Sequence, residues 1–260
     1  MNPDEIQHYG DELYQSLIDR TPVTPLTERE AGLGIDDAYR IQLRTIQRRL
    51  DTGEAIIGKK IGVTSKAVQQ MLKVYQPDFG QLLSGMVYSE GEAIPVNTLI
   101  APRAEAEVAF ILKRDLDGPG VTAADVLRAT DHVLPCFEIV DSRIQGWKIK
   151  IQDTVADNAS CGVFVLGGTA RSLRGLDLSI AGMVVEKNGD IVSTSAGAAV
   201  QGSPVNAVAW LANTLGRLGI PLKAGEVILS GSQSPLMPVV AGDSFTCGVG
   251  GLGTCSIRFS

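Results

Sequence analysis

The sequence predicts an α+β protein in which a helical N-terminal portion precedes a mixed, rolled β domain. Apolar residues recur at helical spacing between Asp4 and Arg49, whereas short β-type segments separated by glycine and polar turns follow Gly53. The strands do not alternate regularly with helices, so a doubly wound parallel sheet is not expected. We therefore expect a mainly helical portion over residues 1–75 and a β-rich domain over residues 76–260.

The helical positions are explicit in the N-terminal portion. Apolar side chains at helical spacing are Ile6, Leu13 and Leu17, and then Ile35, Tyr39, Leu43 and Ile46, with Pro22 and Pro25 interrupting the pattern. Two further helices are expected over about residues 65–74 and 122–129. Another helix is expected from Val205 to Leu218, because Ser203 is a good N-cap, Pro204 suits the first helical position and Gly219 ends the apolar pattern.

The β domain is predicted from seven segments. They read AIIGKKIGV, AEVAFIL, CFEIVDSRI, GVFVLGG, GMVVEKNGDIVST, EVILSGS and IRFS. The fifth contains a hairpin signal, with Asn188 and Gly189 at its tip.

Composition excludes several classes of function. The net charge of −6 and the pI near 5.0 do not suit a nucleic-acid-binding protein, and no apolar run reaches the ~18 residues of a membrane helix. The N-terminus has no secretory signal, so a cytoplasmic protein with small-molecule partners is expected. The four cysteines are isolated and predict reduced thiols rather than a zinc site or a disulfide framework.

Two acids stand two residues apart in the segment PRAEAEVAF. In a strand, Glu105 and Glu107 would point to the same face, about 6 to 7 Å apart at Cα. Like charges on a partly buried face need a cation, a proton or an arginine to neutralise them. A solvated strand face is the simpler alternative for this motif alone.

A third acid, Glu138, lies in the segment LPCFEIVDSRI, where Phe137 and Ile139 take the opposite face of an apolar strand. Three carboxylates from two strands suit a hard octahedral ion such as Mg²⁺ or Mn²⁺ better than zinc. The three strand contexts together favour a metal site over a solvated face.

Lysine and aspartate are the candidates for proton transfer, because the chain has two histidines and neither lies in a catalytic pattern. In a strand, Lys59 and Lys60 point to opposite faces, so at most one of them faces the core. An equal alternative is that both lysines are exposed. Asp78, in QPDFG, fits ordinary turn chemistry on its own.

Two polar loops are candidate substrate-binding segments. Asp157, Asn158 and Ser160 in VADNAS form either a polar loop or a set of ligands for a bound acid. Ser230 and Gly231 follow a strand, where free backbone N–H groups could receive a carboxylate.

Several of these motifs together resemble the 2-hydroxypenta-2,4-dienoate hydratases of meta-cleavage pathways for aromatic compounds, which belong to the fumarylacetoacetate hydrolase superfamily. The resemblance rests on GKKIGVTSKAVQQML, QPDFGQLLSGMV, PRAEAEVAFIL, PCFEIVDSRI, KIQDTVADNAS and SPVNAVAWLANTLG. It extends over nearly the whole chain and implies a β-roll catalytic domain of fumarylacetoacetate hydrolase type that binds Mg²⁺ or Mn²⁺.

The resemblance also implies roles for particular residues. The metal ligands fall on Glu105, Glu107 and Glu138, the proton-transfer lysine on Lys60 and the acid of the pocket on Asp78. The substrate would be a small dienol carboxylate, hydrated to 4-hydroxy-2-oxopentanoate. Homo-oligomers are expected, and association with a decarboxylase or a downstream aldolase is compatible with the resemblance.

Two alternatives stay open. 4-Oxalocrotonate decarboxylase is similar around the E-x-E and VADNAS segments, but the dilysine and the acid of PDFG favour the hydratase. Hydrolysis is disfavoured because neither His8 nor His132 lies where the superfamily's hydrolases carry a histidine. A non-catalytic partner subunit of the decarboxylase is the second alternative, and the presence of all three metal ligands and the lysine argues against it.

Overall fold

The N-terminal portion is helical, as the spacing of its apolar residues predicts. The computed structural model describes residues 1–66, 69–70 and 73–260. Its described α-helices are α1 (Pro3–Asp19), α2 (Leu26–Arg29), α3 (Ile35–Asp51), α4 (Ala123–Ala129), α5 (Ile151–Ala156) and α6 (Pro204–Gly216). The helix expected over residues 65–74 includes 67–68 and 71–72 and therefore lies outside the described residues.

The strands form two mixed sheets. In chain order they are β1 (Ile56–Gly62), β2 (Asp78–Leu83), β3 (Val87–Tyr88), β4 (Ala93–Ile94), β5 (Arg103–Leu112), β6 (Thr130–Val140), β7 (Cys161–Leu166), β8 (Gly182–Lys187), β9 (Asp190–Ala196), β10 (Val227–Leu229), β11 (Met237–Pro238), β12 (Ser244–Val249) and β13 (Gly253–Phe259). The large sheet has the order β2-β1-β10-β5-β6-β7-β3, with β11 also paired to β5, and the smaller sheet has the order β4-β13-β12-β8-β9. The predicted α+β class is confirmed.

The fold of the large sheet depends on long-range pairing. Strand β1 pairs parallel to β10 and antiparallel to β2, although β10 lies far along the sequence. Thus a strand from the first 75 residues lies inside the sheet of the β-rich region. The division of the chain at residues 75 and 76 stays a prediction.

The main core lies between the two sheets. Phe137 of the large sheet meets Phe245 of the smaller one edge to face, with ring centroids 6.3 Å apart, and Phe245 meets Phe259 in the same way at 6.1 Å. All three rings are buried. Because one face of β6 is fixed by this apolar packing, alternation turns its other face, which carries Glu138, away from the core between the sheets.

Helix α3 holds the N-terminal helices against the strand that carries Asp78. The side-chain amide of the buried Gln42 donates to the carbonyl oxygens of Phe79, at 3.1 Å, and Val155, at 2.8 Å. Tyr39 of the same helix stacks on the Phe79 ring, with centroids 4.4 Å apart. The helical portion therefore supports β2 and α5 directly.

The local signals gave the start of α6 and the hairpin tip correctly, but not the end of α6. Thr122 caps α4 by accepting a hydrogen bond from the backbone N–H of Asp125. Asn188 and Gly189 have φ values of 55° and 91°, as a tight hairpin of type I′ requires. Ser203 occupies the N-cap position of α6, but its side chain makes no capping hydrogen bond, and the helix ends at Gly216 rather than at Leu218.

Helix length and hydropathy bear on membrane insertion. Within residues 1–66, 69–70 and 73–260, no helix combines the length and the apolar character that a bilayer span requires.

Gly80 of β2 packs so closely against the segment before β7 that a side chain has no room. A Cβ atom at this position would lie 2.5 Å from the carbonyl oxygen of Asn158 and 3.0 Å from its Oδ1. We expect Gly80→Ala to lower the free energy of unfolding by about 1–3 kcal/mol, because the strand and the loop must separate. Urea denaturation measures the change.

The matched control is Gly32→Ala, since a Cβ atom there meets nothing within 4 Å. Equal denaturation midpoints for the two variants would show that the contact between β2 and Asn158 is easily relaxed.

Candidate metal centre and active site

The register of β5 and β6 brings the three predicted acids together. Glu105 lies directly opposite Glu138 in this antiparallel pair, and Glu107 is opposite Cys136. Since Glu105 and Glu107 share a face, all three carboxylates meet on one side of the sheet, with one oxygen of each within 4.8 Å of the others. The structure therefore brings together the acids that the sequence nominated as metal ligands.

Unsatisfied oxygen atoms show that this cluster fits a cation. Glu107 accepts a hydrogen bond from the backbone N–H of Gly231 at 2.8 Å, while its other oxygen has no hydrogen-bond partner among the described residues. In the described residues, neither oxygen of the completely buried Glu138 accepts a hydrogen bond of good geometry, and its one charged partner is Lys60, 3.0 Å from Oε1. Buried carboxylate oxygens are rarely left without a partner, and a hard divalent cation with oxygen ligands would satisfy them.

Lys60 provides the positive charge beside the cluster. Its Nζ lies 3.0 Å from Oε1 of Glu138, and only 4% of its side chain is exposed. Lys59 points to the opposite face, where its Nζ donates to Glu226 at 2.6 Å. The predicted alternation is confirmed, but neither lysine is exposed, because each finds a buried or half-buried acid.

Asp78 is the first residue of β2 rather than part of a turn. It pairs with Gly62 of β1, and a Cβ atom on Gly62 would lie 2.2 Å from Oδ1 of Asp78. Glycine at position 62 therefore makes the space that the carboxylate occupies. Both oxygens of Asp78 are buried without a hydrogen-bond partner in the described part of the chain.

Burial and mutual repulsion shift the pKa values of these groups. Burial and the charge of Glu138 raise the pKa of Glu105 to about 7 against the opposing effect of Lys60, and the pKa of Glu107 rises well above its usual range for the same first two reasons. Burial raises the pKa of Asp78 to about 6. Burial alone would lower the pKa of Lys60. The charges of Glu138 and Asp78 raise this pKa by more than burial lowers it, so the lysine stays protonated.

A cavity of about 530 Å³ opens onto the cluster. Its polar lining residues include Lys60, Asp78, Arg103, Glu105, Ser160 and Ser232, and its apolar lining residues include Ile61, Val140, Trp147, Ile149 and Leu236. A small organic acid in this cavity can therefore contact both charged and apolar side chains.

The side chains of Asp157 and Asn158 are used within the protein. Asp157 forms a buried ion pair with Arg143 and accepts a hydrogen bond from the Arg143 backbone N–H at 3.0 Å. The Asn158 side chain exchanges two hydrogen bonds with the backbone of Gln81, at 2.7 and 3.0 Å. Neither lines the cavity, so their predicted substrate contact stays a prediction, and the contacts they make hold the loop in place.

Ser160 does line the cavity, and an unusual backbone puts it there. Asn158, Ala159 and Ser160 have φ values of 53°, 50° and 53°, so three successive residues other than glycine form a left-handed turn. Such residues rarely adopt this conformation because Cβ approaches the following carbonyl oxygen.

The predicted segment at Ser230 and Gly231 contributes its backbone. The Ser230 hydroxyl donates to the carbonyl oxygen of Val108 at 2.8 Å and is buried. The Gly231 N–H, which was expected to receive a substrate carboxylate, donates to Glu107 instead. Gly231 has a φ of 108°, and a Cβ atom would lie 2.4 Å from Thr64, so glycine is required. Their assignment to substrate binding stays a prediction.

Sequence reasoning missed Arg103 and Trp147, which also line the cavity. Arg103 lies two residues before Glu105 and therefore faces the same side of β5, so the alternation that identified the glutamates also identifies this arginine. Trp147 lies in a loop, and no local pattern predicts its position.

These features define a class of protein: an enzyme of mixed β architecture with a carboxylate cluster suited to a divalent cation. The sequence matches the family described as fumarylacetoacetate (FAA) hydrolase C-terminal over residues 58–260. The chain belongs to this family.

Relatives with named activities cover nearly the whole chain. It is 67% identical over 216 residues to a 2-hydroxypent-2,4-dienoate hydratase of Pseudomonas putida, a match that covers 83% of this chain and 97% of the relative. It is 57% identical to a 2-hydroxyhexa-2,4-dienoate hydratase of Comamonas testosteroni, a match that covers 98% of this chain and 97% of the relative. The solved structure of a 4-oxalocrotonate decarboxylase of Pseudomonas putida G7, complexed with magnesium and adipate, is 35% identical and superposes with a TM-score of 0.97. This match covers 100% of this chain and 99% of the decarboxylase chain. The predicted fold and the predicted resemblance are confirmed.

Cation affinity should rise with pH between about 5 and 8. Glu105, with a pKa of about 7, and Glu107, with a pKa well above its usual range, must lose protons before they can bind a cation. Protons therefore compete with the metal below pH 7, and affinity should increase roughly tenfold per pH unit for each proton released. Calorimetric titration with Mn²⁺ in buffers of different ionisation enthalpy measures both the affinity for the metal and the number of protons released on binding.

The control for this titration is Glu107→Gln, which keeps the shape of the side chain but removes one titrating ligand. Its affinity should be lower and should depend less on pH. A Mn²⁺ affinity of the unmodified protein that is constant from pH 5 to 8 would contradict the assignment of the cluster.

Proposed function

We propose that this protein hydrates 2-hydroxypenta-2,4-dienoate to 4-hydroxy-2-oxopentanoate with the help of Mg²⁺ or Mn²⁺. The observation that carries the proposal is the presence of Lys60, Asp78 and Glu105 in one cavity, with Glu107 and Glu138 clustered beside Glu105. The names of the hydratase relatives, at 57–67% identity, support the same reaction. Such a step belongs to the meta-cleavage degradation of aromatic compounds.

The reaction adds one water molecule. The dienol loses the proton of its 2-hydroxyl group and gains one at C5, which gives a conjugated 2-oxo acid. Water then adds its oxygen at C4, and C3 receives a proton. When bound by the three glutamates, a divalent cation would supply positive charge at the oxygen atoms on C1 and C2.

Asp78 is the better candidate for moving protons. A pKa of about 6 lets its carboxyl group exist in both protonation states near neutral pH, which suits a general acid or base. Lys60 keeps its proton, because Glu138 and Asp78 raise its pKa. We assign to Lys60 the role of a fixed positive charge that stabilises the dienolate and keeps the carboxylate cluster compact.

The structural relative keeps decarboxylation as the second candidate, since a 4-oxalocrotonate decarboxylase has nearly the same backbone. A non-catalytic role is disfavoured because the cluster and the lysine are complete. Assembly into homo-oligomers and association with a decarboxylase or a downstream aldolase stay predictions drawn from the resemblance, and a cytoplasmic location stays a prediction drawn from the N-terminal sequence.

Product analysis tests the reaction. With enzymatically generated dienol and either Mg²⁺ or Mn²⁺, NMR should show the C5 methyl doublet of 4-hydroxy-2-oxopentanoate. Excess EDTA should abolish the signal, and Glu138→Gln should reduce it strongly. Release of CO₂ from 2-oxohex-3-enedioate without hydration of the dienol would establish the decarboxylase instead.

Asp78→Asn should lower kcat by roughly 10²- to 10⁴-fold, the usual contribution of a positioned acid or base. kcat/KM should fall by a similar factor, because the proton transfer is made only in the transition state. Mn²⁺ affinity, measured by calorimetry, should change little. Asp190→Asn, on the exposed hairpin, is the matched control. If kcat stays near normal while KM rises, Asp78 binds substrate and does not carry the proton.

A further inference from the structure

Arg103 is a cation without an anionic partner at the wall of the cavity. It lies on the same strand face as Glu105 and Glu107. Among the described residues, its guanidinium group forms no salt bridge and donates no hydrogen bond. Its contact is with the ring of Trp147, whose centroid lies 4.4 Å from Cζ of Arg103. The planar group is thus held by stacking, and its five N–H donors stay available.

The tryptophan that holds Arg103 is itself fixed. Its indole Nε1 donates to the carbonyl oxygen of Ala101 at 3.0 Å. Its backbone φ is 56°, a left-handed value that a bulky residue adopts only when its surroundings enforce it. The buried Asp141 accepts hydrogen bonds from the backbone N–H groups of Ile100 and Ala101, and so fixes the carbonyl group that Trp147 uses. The stacked pair is therefore preorganised.

Charge balance identifies what the guanidinium group would bind. Glu105, Glu107, Glu138 and Asp78 carry four formal negative charges at full ionisation. Lys60 and Arg103 with one divalent cation would cancel them. An incoming carboxylate would then be the one uncompensated charge of the site, and among the described residues Arg103, unlike Lys60, forms no ion pair with an acid. A carboxylate matches its donors two at a time.

We propose that Arg103 is a specificity-determining residue that binds the C1 carboxylate of the substrate and that Trp147 positions it. The proposal rests on the proposed function for the identity of the substrate as a 2-oxo or 2-hydroxy-dienoic acid. Arg103 and Lys60 approach the glutamate cluster from different strands, β5 and β1. With its carboxylate held by Arg103, a short dienoate would lie in the cavity that Lys60 and Asp78 also line.

Binding of an unreactive analogue tests this role apart from turnover. Calorimetry would measure the affinity of 2-oxopentanoate and of 2-oxopentanamide for the Mg²⁺-loaded protein. We expect Arg103→Gln to weaken the binding of 2-oxopentanoate by roughly 10- to 100-fold, the range for a charge-assisted pair. The amide should bind weakly to both proteins. Arg103→Lys should be intermediate, because an ammonium group keeps the charge but not the paired donors.

Two further variants separate positioning from structure. Trp147→Phe keeps a ring under the guanidinium group and should bind 2-oxopentanoate nearly normally, whereas Trp147→Ala should weaken binding by a smaller factor than Arg103→Gln. Arg174→Gln, at an exposed site, is the control. In the steady state, Arg103→Gln should raise KM far more than it lowers kcat.

Two outcomes would overturn the proposal. Unchanged binding of 2-oxopentanoate by Arg103→Gln would show that the guanidinium group does not contact the carboxylate. An equal loss of Mg²⁺ affinity would show that Arg103 acts on the glutamate cluster. If the unmodified protein binds 2-oxopentanoate through Arg103 but does not hydrate the dienol, the proposed function fails and the carboxylate site stands.

Discussion

The clustering of four carboxylate groups, three buried and one half-buried, around one lysine is the constraint on which the rest of the structure depends. Each ionised carboxylate loses hydration in the interior and repels the others, and a single buried partner charge does not compensate for all of them. The ion pair between Lys60 and Glu138 is therefore the minimum that lets the cluster exist before a cation binds. The shifted pKa values of Glu105, Glu107 and Asp78 report the remaining imbalance. A cluster with this excess of negative charge is organised to bind positive charge.

The backbone is built to keep these groups close together. Glycine at positions 62 and 231 admits Asp78 and Thr64 where a Cβ atom could not be accommodated. Arg143 ties the end of β6 to the start of β7, because its Nη1 donates to the carbonyl oxygens of Asp141, at 2.6 Å, and Cys161, at 2.9 Å, while Asp157 balances its charge. Breaking such a buried pair would leave an uncompensated charge next to the strand that carries Glu138.

Local patterns predicted the features that depend on local geometry. Strand alternation placed Glu105 beside Glu107 and separated Lys59 from Lys60, because a period of two is intrinsic to the extended chain. The partners of Asp157 and Asn158 could not be predicted in this way: the ion pair with Arg143 and the bonds to Gln81 follow from tertiary packing. Asp78 looked like a turn residue because proline and glycine flank it, yet pairing with β1 makes it the start of a strand. The match to the hydratase motifs supplied the role of Asp78, which its local sequence did not indicate.

The left-handed turn at residues 158–160 also bears on how this protein could be engineered. Each residue other than glycine in that conformation costs about 1 kcal/mol or more, so the turn lowers the overall stability of the fold. Selection for heat resistance would therefore be expected to favour glycine at Ala159, the middle residue of the turn. Glycine would also widen the conformational freedom of the loop, and Ser160 would lose its fixed place on the cavity wall. Thermal stability and the fixed position of Ser160 on the cavity wall thus compete at a single turn, and a screen that scores melting temperature alone would not detect the loss of that position.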